Sequence, residues 1–199
     1  NGSDIAYNAM GDVHDRVEWM NYAVFDGVRY PVQADLSRNG VHLKTSVISE
    51  LHVDTALDAP AFAMPDTGVA LSHTTVDDLA LGQPAGLAPD PKAPIAEIAP
   101  GIVQIPGSWF STIVRQDDGL VIIDAPISNG YSRKVLDEAA RRFPGVPVKA
   151  LVTSTAFYWH VAGVREYAAR GIPIYVRDRN VEVIRAMLAA PRTLAPDAL

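Results

Sequence analysis

No cysteine occurs anywhere in the 199 residues. Disulfides, thiolate zinc sites and cysteine nucleophiles are therefore excluded, while the redox compartment stays open, because a chain without thiols suits either. Long apolar runs are missing too: none approaches the roughly 20 residues that span a bilayer, so the sequence predicts a soluble globular protein without a membrane span. Clustered cations are a third absence. Lys and Arg number 17 against 23 Asp and Glu, for a formal charge of -6, and they are scattered. Nucleic-acid affinity rests on concentrated phosphate neutralisation, and that footprint is not here. Finally, the chain opens Asn1-Gly2-Ser3 with neither Met nor an apolar signal core, and so reads as a processed or trimmed start. Cytoplasmic and exported locations both stay open.

What is present is enough apolar residue, 48%, to bury a core in one large domain or two small ones. Between Arg16 and Asp54 aromatic and β-branched residues alternate at short spacing. Asp26-Gly27 and Asn39-Gly40 interrupt them as hairpin turns, since these residue types accept the positive φ such turns require. The expectation over 1–56 is an antiparallel meander of three strands, with Pro31 at an edge or a strand start because it lacks an N–H. Over 57–96 the pattern dissolves into a Pro-rich linker, partly extended. No internal repeat is present.

From 97 to 199 the organisation changes. "GIVQIPG" and "STIVRQDDGLVIIDAP" predict three short strands turning at Asp118-Gly119. "YSRKVLDEAARRF" predicts a helix presenting Val135, Leu136, Ala139, Ala140 and Phe143 on one face. Then come a strand in "VPVKALVTS", a helix in "HVAGVREYAARG" closed by Gly171, a strand in "IPIYV" and a helix in "NVEVIRAMLAA" ended by Pro191. Apolar strands alternating with amphipathic helices mean a helix-covered sheet, an α/β or α+β arrangement.

In order, "IVQIPGSWFSTIVRQDDGLVIIDAP", the helix, "VKALVTS" and the run His160-Val161-Ala162-Gly163 resemble the N-terminal half of the metallo-β-lactamase fold. The resemblance implies half of an αββα sandwich preceded by the meander. It also implies a strand-exit loop carrying the zinc motif His-x-His-x-Asp-His, with a Gly three residues beyond. Placing Gly163 on that Gly puts His160 on the last His, Thr155 and Phe157 on the first two, and Trp159 on the Asp. Three of four ligands are absent, and catalytic zinc needs about three N, O or S ligands. His160 is the remaining candidate metal ligand, or else a helix N-terminal residue bonded to backbone. Asp124 is a buried carboxylate propping the ligand loop, or a strand-end turn cap. Phe157, Tyr158 and Trp159 line a pocket for a flat apolar ligand, form an interface, or fill core. Tyr22, Phe25, Gly27, Val28 and Pro31 also match a "Y-x-x-F-x-G-V-x-x-P" pattern of the β-rich segment preceding some longer proteins of this kind. His14, His42, His52 and His73 show no ligand spacing and are expected on the surface.

Three functions compete on this reading. The first is a subunit of a hetero-oligomeric metal-dependent hydrolase, acting on an ester, lactone or aryl ether, with zinc held mainly by a second polypeptide that completes the sandwich. This chain alone would then be inactive and hold no tight metal. The second is a non-catalytic scaffold or binding module on a decayed hydrolase fold. The third is a metal-free enzyme that uses the aromatic pocket and Asp124 as acid or base. Fold does not fix substrate.

Overall fold

Left-handed backbone at two dipeptides shapes the first sheet. Asp26 and Gly27 have φ of 47° and 83°, and Asn39 and Gly40 have 48° and 80°. Each pair closes a two-residue hairpin with the twist its flanking strands need. A computed structural model describes residues 2–7, 10–53, 76–77, 79–82 and 94–199, so most of the Pro-rich connector and His73 lie outside the described residues. The chain divides into two compact units, Asn1–Ala6 with Asp12–Gly68, and Tyr7–Gly11 with Val69–Leu199.

The first sheet runs in the order β1-β2-β3-β4, formed by Gly2–Tyr7, Gly11–Phe25, Val28–Arg38 and Val41–Val47. The expected meander is thus one strand short: β1 was missed because "GSDIAY" carries no alternation to mark it. Across β2 and β3, Val17 faces Leu36, Trp19 faces Ala34 and Ala23 faces Tyr30, while Arg16 meets Ser37 and Glu18 meets Asp35. Pro31 pairs with Tyr22 on one side, and the β3–β4 ladder begins only at Gln33, so its missing N–H interrupts no ladder there. His14, His42 and His52 are exposed, with Asp4, Thr45 and Glu50 as their respective neighbours.

A six-stranded mixed sheet organises the second unit, ordered β10-β9-β8-β7-β6-β5. Its strands are β5 (Ala96–Ala99), β6 (Ile102–Ile105), β7 (Ser111–Gln116), β8 (Gly119–Ile123), β9 (Val148–Val152) and β10 (Ile174–Tyr175). The first four are antiparallel and the last three parallel. Parallel neighbours need crossovers, and helices supply them. α1 (Asn129–Arg142) links β8 to β9, α2 (Tyr158–Val161) and α3 (Val164–Ala169) link β9 to β10, and α4 (Val181–Ala189) follows.

Register explains the core. Val103, Ile113, Ile122 and Leu151 stand side by side on four neighbouring strands, and all are fully buried. Tyr131, Val135, Leu136 and Ala139 of α1 and Val161, Val164 and Tyr167 of the second crossover belong to the same cluster. Ala140, expected on that face, is exposed. The adjacent row across the sheet, Gln104, Thr112, Ile123, Val152 and Tyr175, is only partly covered, and Tyr175 is 61% exposed.

Caps and ion pairs fix the helices. Ser128 caps α1, its hydroxyl accepting from the Tyr131 N–H at 3.1 Å. Arg141 and then Arg142 hold the Glu138 carboxyl down to about 2 from its ordinary 4.5. The buried Arg165 donates two hydrogen bonds to Asp197, at 2.5 and 2.8 Å, and another to the Leu188 carbonyl. The predicted helix over "HVAGVREYAARG" is two pieces, broken at Ala162-Gly163. The turn expected at Asp118-Gly119 lies one residue earlier, on Asp117 and Asp118. Gly119 serves close packing there, since a Cβ would meet the Lys149 side chain at 2.4 Å.

Candidate functional site

Parallel strands deliver their exit loops to one end of a sheet, and ligand sites of α/β sheets collect there. Asp124 directly follows β8, and Ser154 lies just past β9. The β6–β7 loop with Trp109 and Phe110 reaches the same end, because Thr112 pairs with Ile123. Strand order and register therefore bring one carboxylate, one imidazole and several aromatic rings to a common edge.

Asp124 turns the chain with φ of 61°, a left-handed conformation that Asp tolerates better than most residues. The turn sends its buried carboxylate back toward the β9 exit. Oδ1 accepts from the Ser154 N–H at 2.7 Å, and Oδ2 accepts from the Ser154 hydroxyl at 2.6 Å. His160 Nδ1 lies 3.2 Å from the same Oδ2. A carboxylate taking these donors ties the strand-exit loop to α2 and orients the imidazole, so that Nε2 is the ring nitrogen without a partner among the described residues.

Backbone bonds stitch the same two loops. Ala125 N–H donates to the His160 carbonyl at 3.0 Å, Ile127 N–H to that of Trp159 at 2.9 Å, and Gly163 N–H to that of Ala125 at 2.9 Å. Approach this close requires glycine. A Cβ on Gly163 would sit 2.1 Å from Ser132 Oγ and 2.4 Å from the Ser128 carbonyl oxygen.

Aromatic rings form a ladder beside this brace. Trp109 and Trp159 stack with centroids 4.7 Å apart and planes 7° from parallel. Tyr158 lies 4.6 Å from Trp159, Phe157 lies 5.1 Å from Tyr158, and the His160 ring follows at 6.2 Å from Phe157. Tyr158 and Trp109 pack partly on the core, whereas Phe157 is 51% and Phe110 50% exposed.

Of the residues singled out in the sequence, Asp124, Phe157, Tyr158, Trp159 and His160 come together here. Ser154 and Trp109 join them without having been anticipated. Ser154 is bonded to a residue 30 positions away, and the only hint was a hydroxyl at a strand exit. Trp109 belongs to a loop that no spacing connects to Trp159.

A zinc ion does not fit the donors present. Thr155 Oγ1 accepts the Phe157 N–H at 3.1 Å, Phe157 and Trp159 offer only rings, and His160 Nδ1 is turned to Asp124. Among the described residues no group of three or more His, Cys, Asp or Glu side chains is placed to hold a metal. Nor is any described helix long and apolar enough to cross a membrane.

No family model matches the chain. No curated protein matches it either. Among solved structures, the stereoselective inverting sec-alkylsulfatase Pisa1 from Pseudomonas sp. aligns with a TM-score of 0.40 and 26% identity, over 46% of this chain and 16% of that one. A metallo-β-lactamase from Erythrobacter litoralis aligns with a TM-score of 0.40 and 14% identity, over 52% of this chain and 49% of that one. The chain spans less than half the length of either protein.

Proposed function

We propose that the second unit is the helix-covered half of a metallo-β-lactamase-like hydrolase, and that a second polypeptide supplies the facing β-layer. That partner would carry the metal-ligating side chains for which Thr155, Phe157 and Trp159 are no substitute. One observation carries the reading: a single face of the six-stranded sheet holds the fully buried row, and the other leaves Ile123, Val152 and Tyr175 partly or largely exposed. Parallel strands such as β8 to β10 are ordinarily covered on both faces, and an obligate interface built like a divided core covers more than about 2,000 Å² in total. His160 would border the shared cleft, Asp124 would set its ring, and zinc would sit mainly on partner ligands. Esters, lactones and aryl ethers are the bonds such a centre would open.

Purification through a tag on this chain, followed by mass spectrometry of the captured chains and metal analysis, tests the reading. Zinc and hydrolytic activity should accompany a second polypeptide and leave with it. A stable monomer in sedimentation that binds no apolar-surface dye would remove the need for a facing layer. Stoichiometric nanomolar zinc on the isolated chain would contradict the assignment of ligands.

A second reading has its own support. Both oxygens of Asp124 are satisfied by donors from this chain, so the loop holds its shape without a metal. A non-catalytic scaffold needs nothing more. Capture of a partner without zinc or hydrolysis would select it.

A further inference from the structure

We infer that the end of the sheet bearing His160 binds a flat aromatic ligand that carries a hydrogen-bonding hydroxyl or amino group, phenol being the minimal example. This deepens the reading above by naming a ligand class, and it rests on that reading only for the location of the cleft. Three observations converge on it. Stacking Trp109 on Trp159 and continuing through Tyr158 and Phe157 builds a ladder of π-faces, and its Phe157 end is half exposed. Aromatic rings prefer offset or tilted neighbours at about 4.5–7 Å, so an exposed end ring favours another flat ring over an aliphatic one. Phe110, on the loop that carries Trp109, exposes a second ring at the same end. A polar anchor completes the site. With Nδ1 directed to Asp124, Nε2 is the polar atom of the His160 ring left without a partner among the described residues, and that ring lies 6.2 Å from the ring of Phe157. Mostly apolar sites with one well-placed polar group are the usual form of a small-molecule pocket. The anchor asks for a hydrogen-bonding group, and the ladder asks for a ring.

The test uses the full chain and three probes: phenol (ring and hydroxyl), anisole (ring without hydroxyl) and cyclohexanol (hydroxyl without a flat ring). The indole N–H resonances of Trp109, Trp159 and Trp19 are followed by heteronuclear NMR, with Trp19, in the other unit, as internal control. Phenol should shift the Trp109 and Trp159 signals saturably while leaving Trp19 still. Anisole should bind about fivefold more weakly, the worth of one net hydrogen bond, and cyclohexanol should not saturate. His160→Leu should bring phenol to the affinity of anisole, and Phe157→Ala, at an exposed position, should weaken both aromatic probes together. Absence of a saturable phenol shift, equal affinity for phenol and cyclohexanol, or wild-type phenol binding by His160→Leu would each overturn the inference. If that variant does not fold, the phenol to anisole ratio on the wild-type chain still decides. Because no partner or metal enters the measurement, failure here leaves the subunit assignment standing, and failure of co-purification leaves this site standing.

Discussion

The two sheets are built on opposite economies. In the second unit a row of fully buried side chains crosses four strands and meets α1 and α3, so long-range packing specifies the structure. In the first unit Val13, at 2% exposure, is the one buried apolar side chain among the described residues, while Trp19, Tyr22, Val24, Val41 and Val47 are all exposed. Its four strands are held in register by local means: two hairpin turns with positive φ, cross-strand pairs, and the Arg38 to Asp15 ion pair at 2.7 Å. A sheet can therefore be well specified by turn chemistry and still bury little, and specification and stability are separate properties.

Breaking the packed unit should have the largest effect. Gly163→Ala forces a methyl against Ser132 Oγ and a backbone oxygen, and should destabilise that unit by about 3 kcal/mol or more. In hydrogen exchange, amides of β6 to β9 should lose protection while those of β2 and β3 keep theirs. Simultaneous loss in both sheets would show that the contrast drawn here is false.

A smaller effect comes from acid. The Glu138 carboxyl is depressed in the folded chain, so its contribution is fully present above about 4.5 and is lost as pH falls toward about 2. Glu138→Gln should remove roughly 1–2 kcal/mol at neutral pH, allowing for the solvent exposure of Arg141, and should flatten the acid limb of the stability curve in that window. An unchanged acid limb would discard the pair as a stabilising element. Smallest of all, Gly27→Ala adds a methyl that meets nothing, leaving only the strain of φ at 83°. It should cost about 1 kcal/mol, read as faster exchange confined to the β2–β3 hairpin.

The same contrast governs how much could be read from residue order. Asp26-Gly27 and Asn39-Gly40 were legible because positive φ admits few residue types, and the strands of the second unit were legible because their apolar runs are nearly continuous. The strand Ala96–Ala99 was not, since it follows the Pro-rich stretch and all its residues are exposed. The break at Ala162-Gly163 was hidden inside a helical periodicity; a contact with Ser128 and Ser132 imposes it, and no local pattern encodes that contact. At the site, the resemblance drew attention to Asp124 and His160, whose pairing spans 36 positions. The Ser154 bonds and the Trp109 stack depend on where separate loops land, which spacing does not report.

The one-sided burial of the six-stranded sheet also leaves a signature in tolerance to substitution. Along β6, β7 and β8, residues alternate between those sealed under the helices and those half open on the other face. A saturation scan scored on folding of the chain alone should therefore show a period of two, with Val103, Ile113 and Ile122 refractory and Gln104, Val114 and Val121 permissive. If a facing layer exists, the same scan scored on assembly should close those gaps, turning the permissive positions into restricted ones. The difference between the two maps would then trace the outline of the partner residue by residue.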